Sequence, residues 1–277
     1  MKPEKAEEVM SGKHSMMGWA LHTRSLVNMV VLLAAAVTLG APDATVKAAD
    51  TPRFLLELEG GAAWQTTNDV QIPNSDTGTR FSLVDLVGEG PWPSARLYLT
   101  WNISERHGLR LLLAPFTYKE TGVFSSPVRF DGEEFAAGIP TEAEYKFNSW
   151  RLSYRYRLHA GESWRWWIGF TAKIRDAAIG LTQEEASARY PNTGFVPLLH
   201  LAADWQFTRS WHLILDADAL AGGPGRAEDV ALKIGRDLGD SWSLTAGYRL
   251  LEGGADVDKV YNFAWFHYAV ASLVYRI

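Results

Sequence analysis

The chain has 277 residues, 47% hydrophobic and 21% charged, with a formal net charge of −5. That balance fits a folded chain rather than a disordered one, and it excludes the basic excess of a general nucleic-acid binder. The absence of cysteine excludes disulfides, thiolate metal sites, a cysteine nucleophile and a lipid-anchored N-terminal cysteine.

Residues 1–48 read as an export signal with a long leader. Lys13 and Arg24 supply positive charge, Leu26 to Leu39 is an uncharged apolar run, and Val46-Lys47-Ala48 offers small residues at the −3 and −1 positions of a cleavage site. Met16 or Met17 could serve as the start. The alternative is a retained anchor, but a run of about fourteen apolar residues falls short of the roughly twenty that span a bilayer. After Ala48 no long apolar segment follows, so residues 49–277 are expected to form a single domain without a transmembrane helix.

Two-residue alternation then recurs along the chain. It gives ten candidate strands, near 53–66, 94–104, 108–118, 145–159, 163–177, 194–207, 210–220, 228–237, 241–251 and 263–277. Leu97, Leu99, Trp101 and Ile103 alternate with Arg96, Tyr98, Thr100 and Asn102. Trp150, Leu152, Tyr154, Tyr156 and Leu158 alternate with Arg151, Ser153, Arg155 and Arg157. Trp164, Trp166, Ile168 and Phe170 alternate with Arg165, Thr171, Lys173 and Arg175 in the next candidate. Strands three and eight alternate poorly. Most run 10 to 15 residues, which suits a tilted strand crossing a bilayer.

The connections alternate in kind. Ser104-Glu105-Arg106-His107, Ala160-Gly161-Glu162-Ser163, Thr208-Arg209-Ser210 and Leu238-Gly239-Asp240-Ser241 are tight, while 67–93, 119–144 and 178–193 are long and rich in turn formers. Three tight turns end in Ser-Trp, at Trp164, Trp211 and Trp242, and Trp101 and Trp205 close strands that enter such turns. Tryptophan gathers where an apolar phase meets water, so five at one height predict an interfacial girdle. Counting back by twos from Ile277 gives Tyr275, Leu273, Ala271, Ala269, His267 and Trp265. That ending resembles the C-terminal strand of bacterial outer-membrane barrels, although phenylalanine is the commoner last residue in that family. The resemblance covers the architecture of residues 53–277 and implies an all-β, up-and-down antiparallel transmembrane β-barrel of about ten strands. It further implies residence in the cell outer membrane among its lipids, recognition of the last strand by the barrel-assembly machinery, and a monomer.

In such a barrel the polar phase faces a narrow interior. Arg151, Arg155, Arg157, Arg165, Lys173 and Arg175 form a basic stripe, and Glu57, Glu59, Asp204, Asp216 and Asp218 supply acids elsewhere. Buried charges persist only when paired, hydrogen-bonded or wet, so the two sectors are expected to face each other and plug the lumen. A narrow pore favouring anions is the alternative. A hydrolase is another.

Asp216 and Asp218 share a strand face with His212, and His200 lies on the previous strand. Omptin proteases, which are ten-stranded barrels, use Asp and His together, but none of that family's surrounding sequence is present. Structural pairing with the arginines is the preferred reading. His267 sits on the apolar face near its outer interface, where a lipid hydrolase would need it, without an evident serine beside it. Thr79 to Gly88 is apolar for an outer loop and could form a short helix over the barrel mouth. Asp131-Gly132-Glu133-Glu134 and Asp256-Val257-Asp258 lack calcium-loop spacing, and Gly222-Gly223-Pro224-Gly225 is turn chemistry. No catalytic residue, metal site or cofactor is assigned.

Overall fold

The computed structural model describes residues 52–277 except Glu162, Gly223 and Pro224. The expected signal segment, 1–48, lies outside the described residues.

Ten long antiparallel strands close into a barrel. In chain order they are β1 (Phe54–Gln71), β3 (Trp92–Asn102), β4 with β5 (His107–Ala114 and Thr117–Val123), β8 (Pro140–Ala160), β9 (Trp164–Thr182), β10 (Ser187–Gln206), β11 (Trp211–Gly222), β12 (Gly225–Asp237), β13 (Trp242–Val257) and β14 (Val260–Arg276). Each pairs with its neighbour in sequence, and β14 returns to β1 from Leu55↔Arg276 to Gln71↔Tyr261. Closure leaves no sheet edge along that seam, as a spanning sheet requires. Pro115 and Phe116 separate β4 from β5, which both pair with β8.

Polarity is inverted relative to a soluble protein. Leu58, Leu152, Phe170, Phe195 and Leu199 are all more than half exposed, whereas Glu59, Arg151, Lys173, Asp229 and Arg249 are buried. At the inner end, which carries Phe54, Ile277 and the tight turns, aromatic rings meet across strands at one level. Trp164 stacks on Trp205 at 5.2 Å, Trp242 lies 4.4 Å from Tyr275, and Phe54 stacks on Trp101 at 6.3 Å. These pairs form the girdle that the Ser-Trp turns predict.

The outer end departs from expectation. Only 72–91 and 124–139 are long connections; β9 joins β10 through 183–186, and β13 joins β14 through 258–259. The strands continue beyond the bilayer instead, so β8, β9 and β10 reach 19 to 21 residues. Above the lipid the outward face meets water while Ala143, Tyr145, Ile179, Leu181 and Ala188 turn inward onto the apolar cluster of the mouth, so the phase seen in the membrane part is lost and segments such as Arg189-Tyr190-Pro191-Asn192 look like loop.

The two long connections fold into one side of the mouth, and the first carries the short strand β2 (Phe81–Ser82), which pairs with β1 at Asp69↔Ser82 and Val70↔Phe81. Ser82 caps helix α1 (Leu83–Val87), its hydroxyl accepting from the Asp85 amide at 3.3 Å. A small hairpin, β6 (Val128–Phe130) with β7 (Glu133–Phe135), turns through Asp131 and Gly132, both at positive φ (49° and 90°). The acidic Asp131-Gly132 pair is therefore turn chemistry of the primed type. Leu83, Leu86, Phe116, Phe124, Phe130 and Phe135 bury together there. Helix and hairpin thus cap the mouth with an apolar cluster on the β1 and β5 side.

Candidate functional site: the charged lumen

Alternation points every second residue of each strand inward, so charges on that phase must meet one another across the interior. Asp229 on β12 is the centre. It accepts from Arg96 on β3 at 2.8 Å, from Arg151 on β8 at 2.6 Å and from Arg249 on β13 at 2.6 Å. Three strands separate β8 from β12 around the ring, and three separate β3 from β12 on the other side. These contacts therefore cross the lumen rather than run along its wall.

The network extends from that centre in two directions. Arg249 also reaches Glu59 at 3.1 Å and the Tyr98 hydroxyl at 2.8 Å, and Lys233 bridges Glu59 at 3.1 Å and Glu57 at 2.5 Å. Arg151 donates to Asp218 at 2.9 Å, which also accepts from Thr171 and from His200 Nδ1, each at 2.8 Å. Arg155 Nε donates to His200 Nε2 at 3.2 Å, which fixes the histidine tautomer, because a carboxylate and a guanidinium leave it one donor and one acceptor. Asp216 pairs in a bidentate contact with Arg110, with Nη2 to Oδ1 at 3.0 Å. Asp204 pairs with Arg165 at 3.1 Å and with His212 at 3.3 Å towards the inner end.

The predicted residues divide accordingly. Arg151, Arg155, Glu57, Glu59, Asp216 and Asp218 enter the central network, and Arg165 with Asp204 forms a separate pair below it. Arg157 sits at the inner end of β8, beside a register shift between Arg157 and His159. Lys173 and Arg175 meet no carboxylate within 4.0 Å among the described residues. Asp216, Asp218 and His212 do not converge: Asp216 is held by Arg110, Asp218 by Arg151, and His212 turns to Asp204.

Arg96, Arg110, Asp229, Lys233 and Arg249 are network members that the sequence reading did not select. Arg96 stands in the polar phase of a clean alternation, and Arg249 follows Ser243 and Thr245 on the same phase as a buried residue. Those two were readable. Arg110, Asp229 and Lys233 come from β4 and β12, where the inward phase is mixed. Leu112 and Ala114 pack with Tyr98 inside, and Gly235 stands where a Cβ would come 2.2 Å from His212 Nε2.

On the outside, near the outer end, His267 does find a hydroxyl. Thr66 Oγ1 lies 2.8 Å from its Nε2, and the Tyr248 hydroxyl bonds its Nδ1. Thr66 is the extra residue where β1 slips register between Gln65 and Thr67.

The sequence matches no protein-family model and no curated protein. Among solved structures, the outer membrane protease OmpT from Escherichia coli superposes with a TM-score of 0.51 at 9% identity, over 84% of this chain and 100% of that one. The translocator domain of the autotransporter NalP from Neisseria meningitidis gives 0.42 at 10% identity, over 94% and 98%. Neisserial surface protein A gives 0.36 at 12% identity, over 81% and 97%. The OmpT likeness is one of fold alone. With ten strands closed on themselves, leucine outside and ion pairs within, this chain has the fold and the inverted polarity of an outer-membrane β-barrel.

Proposed function

We propose that the protein is a sealed, non-conducting barrel with a structural or surface-interaction role, its lumen plugged by the ionic network. The observation that carries this is Asp229, which gathers three guanidinium groups from strands on both sides of the ring. A ten-stranded barrel leaves little room inside, and side chains locked across it leave no continuous water path. Planar-bilayer recording tests the reading. Wild-type protein inserts without single-channel steps, whereas regular chloride-favouring steps would make it the narrow anion pore instead.

A second reading, a hydrolase acting on outer-leaflet lipids, is favoured by one contact, Thr66 with His267. When Nδ1–H donates to Tyr248, Nε2 is free to take the Thr66 proton; the opposite tautomer leaves Thr66 inert. Release of fatty acid from phospholipid or lipopolysaccharide by wild type, lost in His267→Ala and in Thr66→Val, would establish it. No release from either lipid leaves the contact a satisfied interfacial cluster.

A further inference from the structure

The barrel wall has a gap. β10 pairs with β9 along its length, but with β11 only from Leu199↔Ala219 to Gln206↔His212. Among the described residues, 187–198 therefore have no partner on the β11 side, with 196–198 standing unpaired opposite 220–222. The Gln206 amide bonds the Ser163 carbonyl on the β9 side, and the Phe207 amide bonds the Trp211 carbonyl on the β11 side. Even-numbered amides of β10 thus point to β9 and odd-numbered ones to the gap. Pro191 and Pro197 are both odd, so the free edge lacks two of the donors that would otherwise lie bare.

The height of the gap matters. Trp205 marks the inner girdle, and ten residues separate it from Phe195. Ten residues at about 3.3 Å each, tilted by roughly 40°, climb about 25 Å, the height of the apolar band. The lower part of the gap, beside Pro197 and Phe195, hence opens into the outer leaflet.

Behind it lies a cavity of about 550 Å³, within the usual size of a small-molecule site. Tyr145, Phe147, Ile179, Leu251 and Ala264 line its interior. It reaches both banks of the gap, Phe195 and Pro197 on β10 and Leu220 and Gly222 on β11. Leu220 is on the inward phase yet 39% exposed, because β10 has parted from it.

The cavity contains unmatched positive charge. Lys173 is 3% exposed, has no carboxylate within 4.0 Å among the described residues and lies 4.7 Å from the Phe147 ring centre. Arg175 donates to the neutral Asn192 carbonyl at 2.5 Å, while its Nε is buried without a partner. The carboxylate that lines the cavity, Glu252, is taken by Arg226, and Lys146 is held by Asp176 at 2.7 Å. A buried cation without a counter-charge is costly, and an anionic ligand would remove that cost.

We propose that this cavity binds a single-chain amphiphile with an anionic head, admitted sideways from the outer leaflet through the β10–β11 gap. Lys173 and Arg175 take the head, and the aromatic and aliphatic walls take the chain. The site rests on the sealed-barrel reading for its floor, but amphiphile binding and conductance are measured separately and can fail separately.

The test uses the whole barrel in nanodiscs of zwitterionic lipid, with a dansyl-labelled fatty acid as probe. Palmitate displaces the probe, and hexadecanol, which has the same chain without charge, does so at least about tenfold more weakly. Lys173→Gln with Arg175→Gln weakens palmitate by about tenfold or more, whereas Lys173→Arg retains it. Since the chain has no cysteine, Leu198→Cys with Leu220→Cys installs a latch where the register, continued one step, would close the gap. Oxidising the latch slows probe uptake from the bilayer, and a reductant restores it. Heat-modifiable gel mobility confirms that each variant is folded. Equal affinity for palmitate and hexadecanol overturns the headgroup assignment, as does unchanged binding in the glutamine variant. Uptake indifferent to the oxidised latch overturns the lateral route.

Discussion

Asp229 illustrates what a single side chain can hold when it sits where three cations converge. Replacing it by alanine would leave Arg96, Arg151 and Arg249 sharing fewer acceptors in a dry interior. Breaking a buried pair from one side typically costs about 3–5 kcal/mol. Asp229→Ala is thus expected to lower the denaturant midpoint of the folded band strongly, whereas Asp237→Asn near the inner rim, where Arg276 sits 2.6 Å away and both side chains are 22% exposed, costs below about 1 kcal/mol. Unfolding in guanidinium, followed by Trp fluorescence, compares them. Thr66→Val makes the opposite kind of test. Its hydroxyl is exposed to the lipid side, so the loss should stay under about 1.5 kcal/mol, the worth of one hydrogen bond.

At the scale of the strand, the two ends of β8 behave differently. Its inner half alternates cleanly because lipid faces one side and the lumen the other, and Leu152 and Tyr154 lie outward as that phase requires. Arginine in place of Leu152 should cost about 2–4 kcal/mol near the bilayer midplane, measured by urea titration in vesicles. Its outer end carries Glu144, six residues beyond Trp150 and outside the apolar band. Hydrogen bonding from Arg189, helped by the nearby Arg189 and Lys119 charges and opposed by partial burial, holds the Glu144 carboxyl below the usual glutamate range. A lowered folded value means that this contribution is present above the ordinary glutamate pKa and is lost as pH falls through the folded one. Glu144→Gln should therefore be slightly less stable than wild type at neutral pH, and the difference should close well below about pH 4.3. β10 offers a further check. Odd-numbered amides from 187 to 198 should exchange with deuterium faster than their even-numbered neighbours bonded to β9.

Taken whole, the barrel was legible in the chain wherever water and lipid impose different demands on adjacent residues. Trp164, Trp205 and Trp242 marked one interface, and the stripe from Arg151 to Arg155 marked the inside. Legibility stopped where that contrast stopped. Arg189 and Pro191 face water while Tyr190 and Asn192 turn to the cavity, a four-residue stretch that looks like loop, and Ala231 and Gly235 are small inward residues that blur the phase around Lys233. The pairing partners were hidden for another reason: Arg151 meets Asp229 across 78 residues and half the ring, a contact that closure creates and no local pattern encodes.

The seam carries a last consequence. Phe54 and Ile277 exchange backbone hydrogen bonds, amide to carbonyl at 3.1 Å and 2.9 Å, so the first and last residues of the sheet are zipped to each other. No cylinder exists until Val260–Arg276 has been made, and any product lacking that strand would carry two raw borders at once. Trimming the final strand should accordingly yield no partially shut intermediate on a gel, only unfolded chain. Joining Ile277 to Phe54 through a short linker and reopening the barrel at 183–186 should instead preserve the heat-modifiable band.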